Sequence, residues 1–121
     1  MPSKGAKQYE MQAKHRARNF ELMIQYLLAH PCVDCGINDP VVLEFDHLPE
    51  FAKRFEIARA ITASTRSWAT IAAEMAKCEV VCANCHRRRT AKRARTRKYL
   101  ISEALSEPRS MGPDMLNDDP Q

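Results

Sequence analysis

Val80-Val81-Cys82-Ala83-Asn84-Cys85-His86 is the stretch on which the fold turns, and it has a counterpart upstream in Cys32-Val33-Asp34-Cys35-Gly36. Each Cys-x2-Cys knuckle can aim two thiolates at one point, and four thiolates in a tetrahedral array are what a structural zinc site requires. The chain has 121 residues, 45% hydrophobic and 28% charged, which suits one small domain and excludes a two-domain enzyme. A core built from so short a chain is marginal, and small domains often recruit a metal or disulfides. Five cysteines are an odd number, which argues against a disulfide framework. No run of 18 apolar residues occurs, and Met1-Pro2-Ser3-Lys4-Gly5-Ala6-Lys7 lacks the apolar centre of a signal peptide, so the expectation is a cytoplasmic, intracellular chain with no membrane partner. In that reducing setting Cys32, Cys35, Cys82 and Cys85 are read as zinc ligands, with Cys78 as a spare core thiol.

Downstream of the second knuckle, Arg87, Arg88, Arg89, Lys92, Arg93, Arg95, Arg97 and Lys98 place eight positive charges within twelve residues, with no acid among them. A solvated helix face normally mixes the two signs. The run therefore points to nucleic-acid phosphates, and the lack of interleaved aromatics favours duplex DNA over a stacked single strand. The whole stretch to about Leu105 reads as one helix. Charge is uneven along the chain: residues 1–100 carry a net +8 and residues 101–121 a net −4. Pro108 onward reads as a disordered acidic tail.

Upstream, Ala6 to Ala29 holds no interior Pro or Gly, and Phe20, Met23, Ile24, Leu27 and Leu28 recur at helical spacing. This predicts a helix with one apolar face, closed by His30-Pro31. Its polar first half, with Lys4, Lys7, Lys14, Arg16 and Arg18, is either a solvated face or a cover for a nucleic-acid backbone. After an Asn38-Asp39-Pro40 turn, Val41 to His47 reads as a strand. Phe51, Phe55 and Ile57 anchor a loop or short helix. Ser67 caps a helix whose Trp68, Ile71, Ala72, Met75 and Cys78 form one stripe, and Val80-Val81 reads as a short apolar link.

Asp46-His47 closes the predicted strand. Alone, the pair is common by chance and reads by default as a structural, hydrogen-bonded histidine. Between two knuckles it becomes a candidate site, together with His86 in the first turn of the final helix.

From Cys32 to Thr90 the chain resembles the HNH endonucleases: Cys32-Val33-Asp34-Cys35-Gly36, then Leu43-Glu44-Phe45-Asp46-His47, then Glu74, then Cys82-Ala83-Asn84-Cys85-His86-Arg87. The resemblance implies a small zinc-stabilised α+β domain, with a ββα-metal (treble-clef-like) core between N-terminal and C-terminal helices. It divides the chain into an N-terminal helix (1–30), a nuclease domain that includes the basic helix (31–105) and the acidic tail (106–121). It further implies that Asp46 and His86 bind one catalytic Mg²⁺ or Mn²⁺, that His47 is the general base, and that DNA is cleaved to 5′-phosphate and 3′-hydroxyl ends. Arg87, Arg88, Arg89, Lys92, Arg93 and Arg95 would hold the DNA. The alternative is a non-catalytic zinc module that binds DNA or RNA as a regulator, which would have no need of Asp46, His47 and His86 together. One departure stands out. The family's middle Asn, which braces the loop carrying the base, falls here near Lys77-Cys78, while Asn84 lies inside the knuckle. That leaves the bracing role unassigned, with backbone contacts able to meet it.

Overall fold

The computed structural model describes residues 4–106, so the acidic tail lies outside the described residues. In chain order it contains α1 (Lys4–Leu28), a 3-10 turn (Pro40–Val42), β1 (Leu43–His47), α2 (Ile57–Ala63), α3 (Trp68–Met75), β2 (Cys78–Cys82), α4 (Ala83–Ala94) and α5 (Arg97–Ser106). The result is a small α+β fold with one two-stranded sheet among the described residues. The chain divides into two compact units, 1–83 and 84–121.

In the first unit, β1 and β2 pair antiparallel from Leu43↔Cys82 to His47↔Cys78. The strand starts at Leu43, two residues later than the sequence pattern predicts. Asp39 is the reason: its Oδ1 accepts from Val41 N at 3.0 Å and Pro40 presets the backbone dihedral, which winds Pro40–Val42 into a turn. Val80 and Val81, read from sequence as a link, are buried in the middle of β2. Cys78 is likewise a strand residue rather than the end of a helical stripe, because α3 stops at Met75 and Lys77 N closes a turn on the Glu74 carbonyl.

The core is Ile57, Ala60, Ile61, Ile71 and Met75, with Met23, Tyr26, Phe45, Phe55, Trp68 and Cys78 packed around it. Burying each of the large aliphatic side chains contributes about 1.5–3 kcal/mol. Residues 49–66, which carry little periodicity, thus supply three of those five core residues through α2. Ser67 caps α3 as predicted, its side chain accepting from Thr70 N. α1 packs on α2, and α2 on α3. The face α1 turns inward is offset from the predicted one, since Phe20 and Leu28 stay 46% and 54% exposed while Asn19 and Leu27 are buried. A polar contact sets this rotation: Asn19 Nδ2 donates to the Arg66 carbonyl at 3.0 Å, and His15 Nε2 lies 2.8 Å from the same oxygen. The Arg66 guanidinium in turn covers the Phe55 ring at 4.2 Å.

In the second unit, the helix predicted to run to Leu105 is two helices. Arg95 adopts φ 50°, in the left-handed region. Thr96 N donates to the Ala91 carbonyl and Arg95 N to the Lys92 carbonyl, the paired bonds of a Schellman stop. Thr96 then caps α5, its Oγ1 accepting from Tyr99 N at 3.2 Å. No helix among the described residues is long and apolar enough to cross a membrane.

Candidate functional site

The first knuckle is shaped by its own backbone. Cys32 N donates to the Ile37 carbonyl and Gly36 N to the Cys32 carbonyl, a tight reversal in which Gly36 takes φ 80°. Val33 N donates to the Val80 carbonyl, which fixes the knuckle to β2. The Sγ atoms of Cys32, Cys35, Cys82 and Cys85 all lie within 4.8 Å of one another, and none is in a disulfide. Cys35 Sγ and Cys82 Sγ are 3.7 Å apart. Sulfurs each about 2.3 Å from a tetrahedral ion would be separated by about 3.8 Å. The donor set therefore fits a metal ion such as zinc, and the described residues hold no other cluster of three or more potential ligands.

The surroundings favour thiolates. Burial pushes the Cys32 thiol up, but backbone hydrogen bonds from Cys82, Cys35 and Asp34 more than offset it and bring it down to about 6. Arg88 Nη1 donates to Cys85 Sγ at 3.4 Å. One member of the basic run is thus turned toward a ligand sulfur, a role that sequence reading did not assign.

At the other end of the β1–β2 ladder sit Asp46 and His47. Asp46 is 2% exposed, and the side chain of His47 is 13% exposed. His47 Nε2 lies 3.0 Å from Oε2 of Glu74, a residue of α3 that is itself 2% exposed. Glu74 Oε2 also accepts from Arg54 N at 2.9 Å, and Oε1 accepts from Lys77 Nζ at 2.9 Å. Burial would raise the Glu74 carboxyl, but the Arg54 N–H, the Lys77 ammonium and the His47 ring together bring it down to about 2. Lys77 ties down the same loop twice more: its Nζ donates to the Ala52 carbonyl, and its carbonyl accepts from Leu48 N. The loop after His47 is therefore held by side-chain as well as backbone contacts, centred on Glu74 and on the position where the family pattern has its Asn. Sequence reading quoted Glu74 without giving it a role, although an acid in phase with Ile71 and Met75 on an apolar stripe was a usable signal.

Cys78, opposite His47 in the ladder, is pushed up to about 12, first by burial and then by the charges of Glu74 and Asp46. It is an inert thiol at neutral pH. His86 is half-buried in the first turn of α4. In the basic run, Arg87, Arg88, Lys92 and Arg93 lie exposed on α4 and Arg89 is half-buried. Arg95 lies beyond the end of α4 and therefore does not continue the helical face of Arg88 and Lys92.

Comparison with known proteins finds no matching family model, curated protein or solved structure, so the likeness to HNH endonucleases rests on the motif residues.

Proposed function

We propose that the protein is a zinc-stapled, metal-dependent endonuclease of the HNH type that hydrolyses DNA phosphodiester bonds. The observation that carries this reading is the end of β1, where a buried carboxylate, Asp46, is followed by an imidazole backed by a second buried carboxylate, Glu74. A purely structural histidine needs a hydrogen-bond partner, but it has no need of a further buried acid at the adjoining strand position. Keeping both carboxylates out of water is costly, and such arrangements concentrate at functional sites.

His47 is the general base and takes the proton of the attacking water. Asp46 and His86 would hold the Mg²⁺ or Mn²⁺, Asp46 supplying the hard oxygen donor that such an ion favours and His86 a nitrogen. When bound, that ion would stabilise the negative charge developing on the phosphate and on the departing 3′ oxygen. The exposed Arg87, Arg88, Lys92 and Arg93 of α4 supply sequence-independent attraction to the DNA backbone.

The test is nicking of supercoiled plasmid with Mg²⁺ or Mn²⁺, by the wild type and by His47→Ala. We expect cleavage by the wild type that is stopped by EDTA, and its loss in His47→Ala with DNA binding retained. Full activity in His47→Ala would overturn the role of the base. A wild type that binds DNA and never cuts it would favour the regulatory module.

A further inference from the structure

Glu74 is an acid on the apolar side of α3, in phase with Ile71 and Met75, and all three are buried. Both of its carboxylate oxygens are engaged: Lys77 Nζ donates to Oε1, Arg54 N donates to Oε2, and His47 Nε2 lies 3.0 Å from Oε2. An ionised carboxylate can only accept. With its carboxyl held at about 2, Glu74 is ionised at any pH at which the protein would work. The ring nitrogen facing Oε2 must therefore be the donor.

Neutral imidazole carries one proton, and without a partner the two nitrogens share it. A fixed acceptor removes that choice. We propose that Glu74 is a positioning residue that holds His47 as the Nε2–H tautomer, so that Nδ1 is the nitrogen left with a lone pair to receive a proton. The proposal rests on the nuclease reading for its purpose and on the hydrogen-bond geometry for its content. Glu74 is itself held firmly enough to act in this way. Lys77 is anchored to the Ala52 carbonyl as well as to Oε1, and Arg54 N lies in the loop that leaves β1, so a shift of the carboxylate would break three contacts at once. The balance is simple: water gives a proton to Nδ1 as its oxygen bonds to phosphorus and the bond from phosphorus to the 3′ oxygen breaks, the ring becomes a cation, and the Glu74 charge stabilises it without accepting the proton itself.

The test is ring-nitrogen NMR on zinc-loaded protein without added Mg²⁺, at a pH where His47 is neutral, with its signals assigned by their loss in His47→Ala. We expect the wild type to show the proton on Nε2 and an unprotonated Nδ1. In Glu74→Gln, whose amide can donate or accept, the ring becomes a mixture of tautomers, and kcat for plasmid nicking falls about 10²–10⁴-fold with KM within about twofold. A wild-type ring protonated on Nδ1, or an unchanged Nε2–H population in Glu74→Gln, would overturn the proposal. A wild-type Nε2 proton that is shifted downfield and protected from solvent exchange ties the tautomer to its acceptor even if the variant fails to fold. An Nε2–H ring in a protein that cuts no DNA would establish the hold of Glu74 and remove the nuclease reading alone.

Discussion

The two ends of the β1–β2 ladder are built on opposite plans. At the Leu43↔Cys82 end, soft sulfur donors gather and a metal ion can supply the cohesion. At the His47↔Cys78 end, cohesion comes from a buried carboxylate that collects an imidazole, an ammonium and a backbone N–H. The first end is built from soft donors that suit an added ion, whereas the Glu74 carboxylate at the second is satisfied by partners within the chain. A small domain with a marginal core can thus keep His47 in fixed geometry, because the four-cysteine cluster and the Glu74 network are at opposite ends of one five-residue strand.

The largest effect expected is at the cysteine end. Structural zinc contributes about 10–16 kcal/mol in small domains, which matches or exceeds the roughly 5–15 kcal/mol that hold a typical domain together. Chelation, or Cys82→Ser, should therefore abolish the cooperative thermal transition seen by circular dichroism, with one zinc per chain in the untreated protein by elemental analysis. A well-folded, zinc-free protein would break the contrast between the two ends.

A smaller effect is expected at the carboxylate end. Glu74→Ala leaves Arg54 N without its acceptor and should lower stability by about 1–3 kcal/mol in urea titrations. The pH dependence sharpens this. Glu74 titrates at about 2 in the folded protein against an ordinary value of 4.5, so on acidification the unfolded chain takes up the proton first. Its contribution is complete above about pH 5 and is lost as the pH falls from about 4.5 towards 2. Glu74→Gln should therefore lose less stability than the wild type across that window. Parallel acid profiles would show that the carboxylate contributes nothing as an anion.

The smallest effect lies outside the ladder. Arg95→Gly relieves a side chain from the left-handed region at the α4–α5 stop, and after the added freedom of glycine in the unfolded chain the gain should be at most about 1 kcal/mol. Differential denaturation against the wild type would register it, and a loss of stability would mean that the Arg95 side chain makes an offsetting contribution.

What could be read from sequence follows from how far apart the interacting residues lie. Both knuckles were legible because two ligands three positions apart carry their own geometry, and the cap at Ser67 was legible because its partner is Thr70. The partner of His47 was not, because it lies 27 positions away and nothing local couples them. The inward face of α1 was misread for a related reason: apolar spacing favoured Phe20, while the contact that sets the rotation joins Asn19 to a carbonyl 47 residues on. The break at Arg95 carries no glycine or proline to announce it, so a run rich in Ala, Arg and Lys reads as unbroken helix. The nuclease chemistry came from motif resemblance and remains a proposal, whereas the four-cysteine cluster stands on geometry.

The excursion over residues 48–77 has a consequence for synthesis. Loop closure costs about 0.6 kcal/mol more for each doubling of length, so pairing β1 with β2 across it costs about 2 kcal/mol more than closing a two-residue hairpin. The sheet cannot form on the ribosome until β2 has emerged, and the first knuckle waits longer still, until Cys85 is free. At about 5–20 residues per second, Cys32 and Cys35 spend about 3–10 s as a dithiol open to oxidation or to the wrong ion. The nascent chain is most vulnerable at the knuckle made first, and the cell's zinc and thiol buffers, rather than the finished fold, decide whether that interval ends in the native site.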